Sequence, residues 1–304
     1  MSEAESGSEG RTRSPQTDAR FRARPGTLYV VATPLGNLRD VTLRALDVLA
    51  TADVVAAEDT RLAAILLRHY GLVQRTLSLH AHNEAQRAQV LVGRLREGRS
   101  VALVTDAGTP AISDPGARLV RAVRDAGFTV VPVPGPSAVA AAVSAAGLTA
   151  QAFMFAGFPP AQAKARRAWL ASLAWVPGAV VFYEAPHRVR ASVDDLLAAL
   201  GPARRLVVAR ELTKAFETIA AMPLGEAPAW FAQDANRERG EIVLIVDEAD
   251  AGPAQAALGP EAERWLVALL AELPPARAAR VVSSVTGVAR DAVYARALAI
   301  KPRA

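Results

Sequence analysis

The sequence predicts an α/β protein with two α/β domains and a small C-terminal helical module. From Thr27 onward, short β-branched runs alternate with stretches of helical period, an order typical of a mostly parallel sheet covered by helices on both faces. The chain has 304 residues and is 51% hydrophobic, enough for two cores at roughly 100–200 residues per domain. Gly- and Pro-rich turns follow several of the apolar runs, as strand-to-helix connections require.

The first domain is predicted at residues 27–148. Its helix at 40–52 follows from Leu43, Leu46 and Leu49 at helical spacing, and its helix at 61–72 ends at Gly71, which can supply a left-handed cap. Further helices are predicted at 83–98, 115–127 and 136–146. Strands are predicted at 28–33, 53–59, 76–80, 100–108 and 128–134.

The second domain is predicted at residues 149–248. Its last two strands, 216–222 and 241–247, are spaced like hairpin partners, so we expect a mixed sheet. The other strands are predicted at 153–158, 179–185 and 205–212, and the helices at 162–174, 187–200 and 224–235. A linker at 249–260 precedes a module at 261–304, with helices predicted at 261–273, 275–285 and 288–299.

Composition excludes several classes of protein. The absence of cysteine removes disulfide scaffolds, thiolate metal sites and a cysteine nucleophile, and with only four histidines we expect no metal. Residues 1–26 have no apolar segment and are predicted to be a disordered tail. The longest weakly polar stretch, 129–158, is broken by Pro and Gly, so we expect a soluble, cytoplasmic protein without a membrane span.

The net charge of +5 is unevenly distributed. Residues 274–304 alone carry +5 and residues 1–26 carry +1, which leaves −1 for residues 27–273. The basic excess therefore belongs to the C-terminal module, where positive charge is typical of a phosphate-binding surface. A charged helical hairpin that only packs on the core is the alternative.

Four turns after predicted strands are rich in Gly, Pro and small polar residues. Open α/β sheets bind ligands beyond the carboxyl ends of their strands, and such turns let backbone amides approach a ligand closely. Ordinary turn punctuation is the alternative for any one of them. Neither a G-x-G-x-x-G nor a Walker loop occurs in the sequence, which counts against dinucleotides and nucleoside triphosphates. The turns lie at 33–40, 105–116, 132–138 and 183–188.

The turns and their flanking strands resemble a known family. In order, VATPLGNLRD, VVAAEDTR, LVTDAGTPAISDPG, VPGPSA, FAGFPP, VFYEAPHR, ARELTK and RGEIVLIV are similar to the tetrapyrrole-methylase superfamily, specifically its ribosomal RNA branch. The resemblance covers about residues 27–300. It implies S-adenosylmethionine-dependent 2′-O-methylation of a cytidine in the decoding region of 16S rRNA, within the small ribosomal subunit, by a homodimer.

The resemblance also implies where the cofactor binds, in a cleft between the two domains. Backbone amides of Gly- and Ser-containing loops would hold the methionine carboxylate and the adenine edge, with apolar walls around the sulfonium. The implied cofactor residues are Pro34, Asp106, Ala107, Gly108, Thr109, Pro110, Ile112, Ser113, Gly135, Ser137, Ala138, Tyr183, Glu184, Ala185, Arg210, Glu211, Thr213, Gly240, Glu241 and Ile242.

Methyl transfer to a hydroxyl benefits from a general base, because the hydroxyl is a weak acid. We favour Glu184 or Asp106 for this role. Each carboxylate has a structural alternative, which is to cap a helix, pair with an arginine or hold the cofactor. Other candidates near strand ends are Glu58, Asp59, Glu211, His187 and Lys214.

Exposed cations are expected to contact RNA phosphates, with a solvated surface as the alternative for each charge run. The predicted contacts are Arg39, Arg61, Lys164, Arg166, Arg167, Arg188, Arg277, Arg280 and Arg290, and the module adds Arg296, Lys301 and Arg303.

Two other functions stay open at the level of sequence. A tetrapyrrole C-methyltransferase of cobalamin or sirohaem biosynthesis would share the chemistry, whereas a cofactor-gated RNA-binding protein would have no catalysis. The loop at 33–40 has one Gly where the tetrapyrrole enzymes have G-x-G-P-G-D, and those enzymes lack the C-terminal segment. Both differences count against a macrocyclic substrate.

Overall fold

The computed structural model describes residues 21–173, 176–248 and 258–300. The chain forms two compact units. Unit 1 runs to Ala141 and includes Thr213–Ala215, and unit 2 comprises Ala142–Leu212 with the chain from Phe216 onward. Most of the predicted tail and linker, as well as Lys301 and Arg303, lie outside the described residues.

The sheet of unit 1 is wholly parallel, as predicted. Its strands stand in the order β3-β2-β4-β1-β5. Tyr29 and Val31 face one apolar cluster with α1 and α2, whereas Leu28 faces another with α3 and α4, so both faces are buried. The strands are β1 (Thr27–Val31), β2 (Val54–Ala57), β3 (Thr76–Ser78), β4 (Val101–Val104) and β5 (Thr129–Val133), and the helices are α1 (Leu43–Thr51), α2 (Thr60–His69), α3 (Glu84–Arg96), α4 (Ala117–Asp125) and α5 (Ala138–Ala145).

Local chemistry sets the helix ends in unit 1. Helix α1 begins later than predicted, because Leu38–Asp40 forms a separate 3-10 turn and the Thr42 hydroxyl then accepts the Ala45 N–H at 3.1 Å. Gly71 ends α2 as predicted, with φ +66°. The N–H of Gly71 donates to Arg68 O and that of Leu72 to Leu67 O, which is the Schellman arrangement.

Unit 2 contains the predicted mixed sheet, in the order β6-β7-β10-β8-β9. Strands β6 and β7 are parallel, β8 and β9 form an antiparallel hairpin, and β10 lies antiparallel between β7 and β8. The expectation that the last two strands pair like a hairpin is therefore wrong for β10, which crosses to the centre. The elements are β6 (Phe153–Phe155), α6 (Ala163–Leu173), β7 (Ala179–Glu184), α7 (Val189–Leu200), β8 (Arg205–Arg210), β9 (Thr218–Pro223), α8 (Ala227–Gln233) and β10 (Ile242–Val246).

Three helices follow the second sheet, close to the predicted positions. They are α9 (Pro260–Glu272), α10 (Pro275–Thr286) and α11 (Arg290–Ile300). Leu266, Val282 and Val293 are fully buried in a small apolar cluster that the three helices share. Gly287, at φ +72°, ends α10 in the left-handed conformation and starts the turn to α11. Across the described ranges, none of the helices has the length and apolar character that crossing a membrane would take.

Candidate active site

The predicted loops of unit 1 meet at the carboxyl edge of its sheet. Thr33, after β1, and Gly108, after β4, exchange two backbone hydrogen bonds of 2.9 and 3.0 Å. The Thr109 hydroxyl donates to Pro136 O at 3.0 Å, which ties the loop after β4 to the loop after β5. Because β4, β1 and β5 are neighbours in the sheet, three of the four predicted turns form one loop cluster.

Strained backbone coincides with the predicted cofactor residues. Ala111, Ser113, Glu211 and Thr213 have φ between +53° and +67°, and no other non-glycine residue in the described part of the chain has a positive φ. This conformation costs energy for residues other than glycine and is concentrated at binding and catalytic sites. Three of the four were predicted as cofactor contacts, and Ala111 lies between two that were.

An acidic group occupies the carboxyl ends of β2 and β4. Asp106 is exposed, and its Oδ1 accepts the Asp59 N–H at 2.9 Å. Burial raises the pKa of Glu58, and the negative charge of Asp106 raises it further. Hydrogen bonds from the Arg61 side chain lower the pKa of Asp59 to about 2. This edge therefore combines the ion-paired carboxylate of Asp59, the exposed carboxylate of Asp106 and the carboxyl group of Glu58, whose pKa is raised.

Replacing Glu58 by Gln is expected to stabilise the protein at neutral pH. Since the folded state raises the pKa of Glu58, this residue's contribution to stability is complete below its ordinary pKa of 4.5 and is lost as the pH rises through the folded value. Gln avoids that loss. Melting temperatures of the two proteins should agree near pH 4 and separate at pH 7.5, with the variant higher.

The matched control for this experiment is Glu97→Gln. Glu97 is solvent-exposed and pairs with Arg94 at 3.2 Å on the surface of α3. Surface pairs contribute little, so the change in stability should stay below about 1 kcal/mol at either pH. Equal melting temperatures for wild type and Glu58→Gln at pH 7.5 would contradict the burial argument.

A second group of predicted cofactor residues meets at one edge of the sheet in unit 2. Ile242, the first residue of β10, pairs with Glu184 of β7 and with Arg210 of β8. The Glu211 N–H donates to Glu241 O at 2.9 Å, and the Glu241 N–H donates to Glu211 Oε1, also at 2.9 Å. Segments separated by tens of residues in sequence are thus joined at this edge.

Glu184 forms a buried ion pair in this unit. Its side chain has no exposed surface, and Oε1 accepts Arg188 Nη2 at 2.5 Å, Arg188 Nε at 2.8 Å and the Ala185 N–H at 2.7 Å. The Ser192 hydroxyl donates to Oε2. With both oxygens occupied, Glu184 could act as a base only by breaking this network, so the geometry favours the structural alternative.

Two predicted RNA contacts are corrected by their burial. The guanidinium of Arg188 is only 18% exposed and is held by Glu184 and by Pro159 O at 3.1 Å. Arg166 is 5% exposed and binds Asp195 at 2.7 Å. Loss of Arg188 would leave the buried Glu184 without a cation, and loss of Arg166 would leave Asp195 only a longer pair with Arg167 at 3.7 Å, so both are structural residues of unit 2.

The other predicted RNA contacts lie on the surface. Arg61 is 88% exposed, although its guanidinium binds Asp59 at 2.6 Å. Arg296 likewise binds Glu263 at 2.6 Å. The remaining exposed cations are Arg39, Lys164, Arg167, Arg277, Arg280 and Arg290.

Glu84 is a positioning residue that the sequence analysis missed. Its buried carboxylate accepts the N–H groups of Gly116, Arg118 and Leu119 at 2.8–3.3 Å. It therefore caps the N-terminus of α4 and fixes the end of the loop that starts at Thr105. An acidic residue in the first turn of α3 carried no signal of this contact, because its partners lie more than thirty residues away.

No cluster of three or more His, Asp or Glu side chains suited to hold a metal ion is found among the residues that the structure describes.

The predicted cofactor residue Arg210 has one side-chain nitrogen without a hydrogen-bond partner. Its Nε is buried without a hydrogen-bond partner, while its Nη atoms bond to Arg239 O and Phe216 O at 3.2 Å. Buried donors without a partner are rare in folded proteins, and either a bound water or a ligand would satisfy this one.

The fold and the loop clusters define a tetrapyrrole methylase. The family model described as Tetrapyrrole (Corrin/Porphyrin) Methylases matches residues 27–228. The solved structure of uroporphyrin-III-C-methyltransferase from Thermus thermophilus is 23% identical, with a TM-score of 0.54, over 73% of this chain and 94% of that chain. The methyltransferase CobJ is also 23% identical, with a TM-score of 0.57, over 75% and 97%. At these identities the likeness shows the fold alone.

Within that class, the chain belongs to the ribosomal RNA small subunit methyltransferase I family. The relative of that name from Vibrio cholerae serotype O1 is 52% identical over 88% of this chain and 92% of its own length. The one from Escherichia coli O157:H7 is 49% identical over 90% and 95%. A second family model, the RsmI C-terminal HTH domain, matches residues 256–301.

Proposed function

We propose that this chain transfers the methyl group of S-adenosylmethionine to the ribose 2′-hydroxyl of a cytidine in the decoding region of 16S rRNA. We choose RNA over a macrocyclic substrate because of one observation. A helical module of α9, α10 and α11 follows the methylase fold. The two solved tetrapyrrole-methylase structures align over 94–97% of their own length but only 73–75% of this chain. These helices, of which α10 and α11 carry the basic excess, are an addition that a small substrate does not need.

The loop cluster of unit 1 suits S-adenosylmethionine chemically. When bound, this cofactor supplies a methyl group already activated on a positively charged sulfur, so no metal is required. The exposed Asp106 carboxylate can accept hydrogen bonds from ribose hydroxyls or an ammonium group. Gly108, at φ +81°, lets the loop turn sharply and pack closely against Leu35. All the cofactor contacts named above stay part of this proposal.

Positioning and proton removal are the tasks left to the protein's own residues. Fixing a hydroxyl in line with a reacting methyl supplies much of the rate enhancement. A general base adds roughly 10²–10⁴-fold. Of the two predicted bases, we assign this role to Asp106, because it is exposed at the loop cluster, whereas Glu184 is committed to Arg188.

The exposed cations are proposed to bind phosphates of 16S rRNA within the small subunit. They include Lys164 and Arg167 on α6 and Arg277 and Arg280 on α10. The family resemblance further leads us to propose a homodimer acting in the cytoplasm, where ribosomal subunits assemble.

Replacing Arg277 and Arg280 by Gln is expected to reduce the salt dependence of RNA binding. Each lost phosphate contact should reduce the steepness of log Kd against log salt by about 0.7–0.9. Filter binding of 16S rRNA over a series of salt concentrations measures this slope. Arg296→Gln is the control, since Arg296 is already held by Glu263, and its slope should match the wild type. Equal slopes in all three proteins would remove these arginines from the RNA interface.

Mapping ribose methylation in rRNA from cells with and without the gene tests the proposed function. Loss of one 2′-O-methylcytidine in the decoding region is expected, together with its restoration by the purified protein and S-adenosylmethionine on 30S particles. Methylation of uroporphyrinogen or a precorrin instead of rRNA would support the tetrapyrrole alternative. RNA binding without methyl transfer would support a non-catalytic protein.

A further inference from the structure

An exposed aromatic ring stands at the same edge of unit 2 as the ion pair of Glu184. Phe158 follows β6 and is 54% exposed. Its ring lies against Tyr183 of β7, with centroids 5.4 Å apart, and Phe155 contacts the same tyrosine at 4.9 Å. The three rings form one aromatic cluster, of which Phe158 is the solvent-facing member.

The backbone holds Phe158 on both sides. Before it, the Ala156 N–H donates to Val181 O at 2.8 Å, and the Tyr183 N–H donates to Gly157 O at 2.9 Å. After it, Pro159 O accepts Arg188 Nη2 at 3.1 Å. Arg188 is itself fixed by the buried carboxylate of Glu184. A buried ion pair thus supports the turn that presents this ring.

Positive charge follows the ring along the chain. Helix α6 begins at Ala163, five residues after Phe158, and its 11 residues direct the positive end of their dipole toward this turn. Lys164 and Arg167, one helical turn apart, are both exposed, and Arg167 also pairs with Asp195 at 3.7 Å. Single exposed apolar side chains are common on protein surfaces. A fixed, exposed ring that meets a second ring edge to face and is followed by cations is a combination that suits unpaired nucleic acid, because the outer ring keeps a free face for a base.

We propose that Phe158, backed by Tyr183, is a stacking platform for an unpaired base of the RNA substrate. The inference rests on the proposed function and names a substrate-binding residue for it. Enzymes that modify a nucleotide inside a folded RNA must expose it, and an aromatic face receives a base regardless of its hydrogen-bonding pattern. Lys164 and Arg167 hold the adjoining phosphates.

The test compares Phe158→Leu, which removes the π face, with Phe158→Trp, which keeps it. Phe153→Leu is the matched control, because Phe153 is 49% exposed at the opposite end of β6. The KM for 30S particles from cells lacking the gene is measured, together with quenching of a single-stranded RNA that carries 2-aminopurine. We expect Phe158→Leu to weaken RNA binding by about 5- to 150-fold and to abolish quenching. Phe158→Trp and Phe153→Leu should behave like the wild type.

Two further readouts separate the possible failures. In Phe158→Leu, the affinity for S-adenosylmethionine measured by calorimetric titration and the melting temperature should both equal those of the wild type. If cofactor binding or stability is lost together with RNA binding, Phe158 has a structural role and the platform is overturned. The platform is also overturned if Phe158→Leu quenches the RNA and shows a KM for 30S particles as the wild type does. If rRNA methylation is normal in that case, the proposed function still stands. A wild-type protein that does not methylate rRNA fails the proposed function instead. In that case, quenching that depends on Phe158 would still support the platform.

Discussion

Replacing Arg188 by Met is expected to lower the free energy of unfolding by about 3–5 kcal/mol. Met keeps most of the aliphatic volume but leaves Glu184, which has no exposed side-chain surface, without its cation. The Ser192 hydroxyl and the Ala185 N–H remain as partners, and they do not neutralise the charge. Urea denaturation followed by circular dichroism measures the loss.

Arg190→Met is the control, two residues further along the chain in the first turn of α7. Arg190 pairs with Glu238 at 2.9 Å on the surface, with 48% of its side chain exposed, so its loss should cost less than about 1 kcal/mol. The double variant Glu184→Gln/Arg188→Met should recover part of the stability, because it removes the orphaned charge. If Arg188→Met proves as stable as Arg190→Met, the pair does not support this unit.

The same variants decide whether Glu184 is a base. If Glu184 is not the base, Glu184→Gln should lose methyl transfer at saturating S-adenosylmethionine only in proportion to the protein that unfolds. Folded Glu184→Gln with a rate reduced by several orders of magnitude would restore Glu184 as a candidate base.

Asp106→Asn is expected to reduce kcat for methyl transfer by roughly 10²–10⁴-fold. Asn retains an oxygen that can accept the Asp59 N–H, so the loop should keep its conformation, but it cannot take up the proton of the ribose hydroxyl. Tritiated-methyl transfer to 30S particles measures the rate. Binding of S-adenosylmethionine, measured separately, distinguishes a lost base from a lost cofactor contact.

Asp53→Asn is the matched control for Asp106. Asp53 precedes β2 at the opposite edge of the same sheet, where Ser100 and Arg99 hold its carboxylate. This substitution should leave kcat unchanged. Full activity of Asp106→Asn would exclude Asp106 as the base and make Glu58, whose carboxyl group lies beside it, the next candidate.

Periodicity and turn chemistry predicted the order of elements and the parallel first sheet, because both depend on local sequence. The place of β10 could not be predicted, since its partners β7 and β8 are chosen by packing across the whole unit. Helices α1 and α7 begin later than predicted for a local reason. In each case a 3-10 turn, Leu38–Asp40 or Pro186–Arg188, precedes the helix, and the two conformations share nearly the same sequence pattern.

The sequence predicted which segments form the candidate site. It predicted less well which individual side chains are exposed there. Loops after parallel strands must meet at one edge, and the resemblance indicated which loops matter. Whether an arginine faces solvent depends on partners that sequence spacing does not reveal. Asp195 lies 29 residues from Arg166 and binds it at 2.7 Å in the interior, whereas it pairs with the neighbouring Arg167 only at 3.7 Å, and Arg167 remains exposed.

The central position of β10 has a consequence for synthesis of the chain. The first sheet is complete once Val133 has left the ribosome, so unit 1 has all its strands early. In unit 2, β7 and β8 have no strand between them until residues 242–246 have been made. Nascent chains stopped before Ile242 therefore expose two apolar strand edges, which is the condition that recruits chaperones or leads to aggregation. The second unit closes only after Val246 has been made.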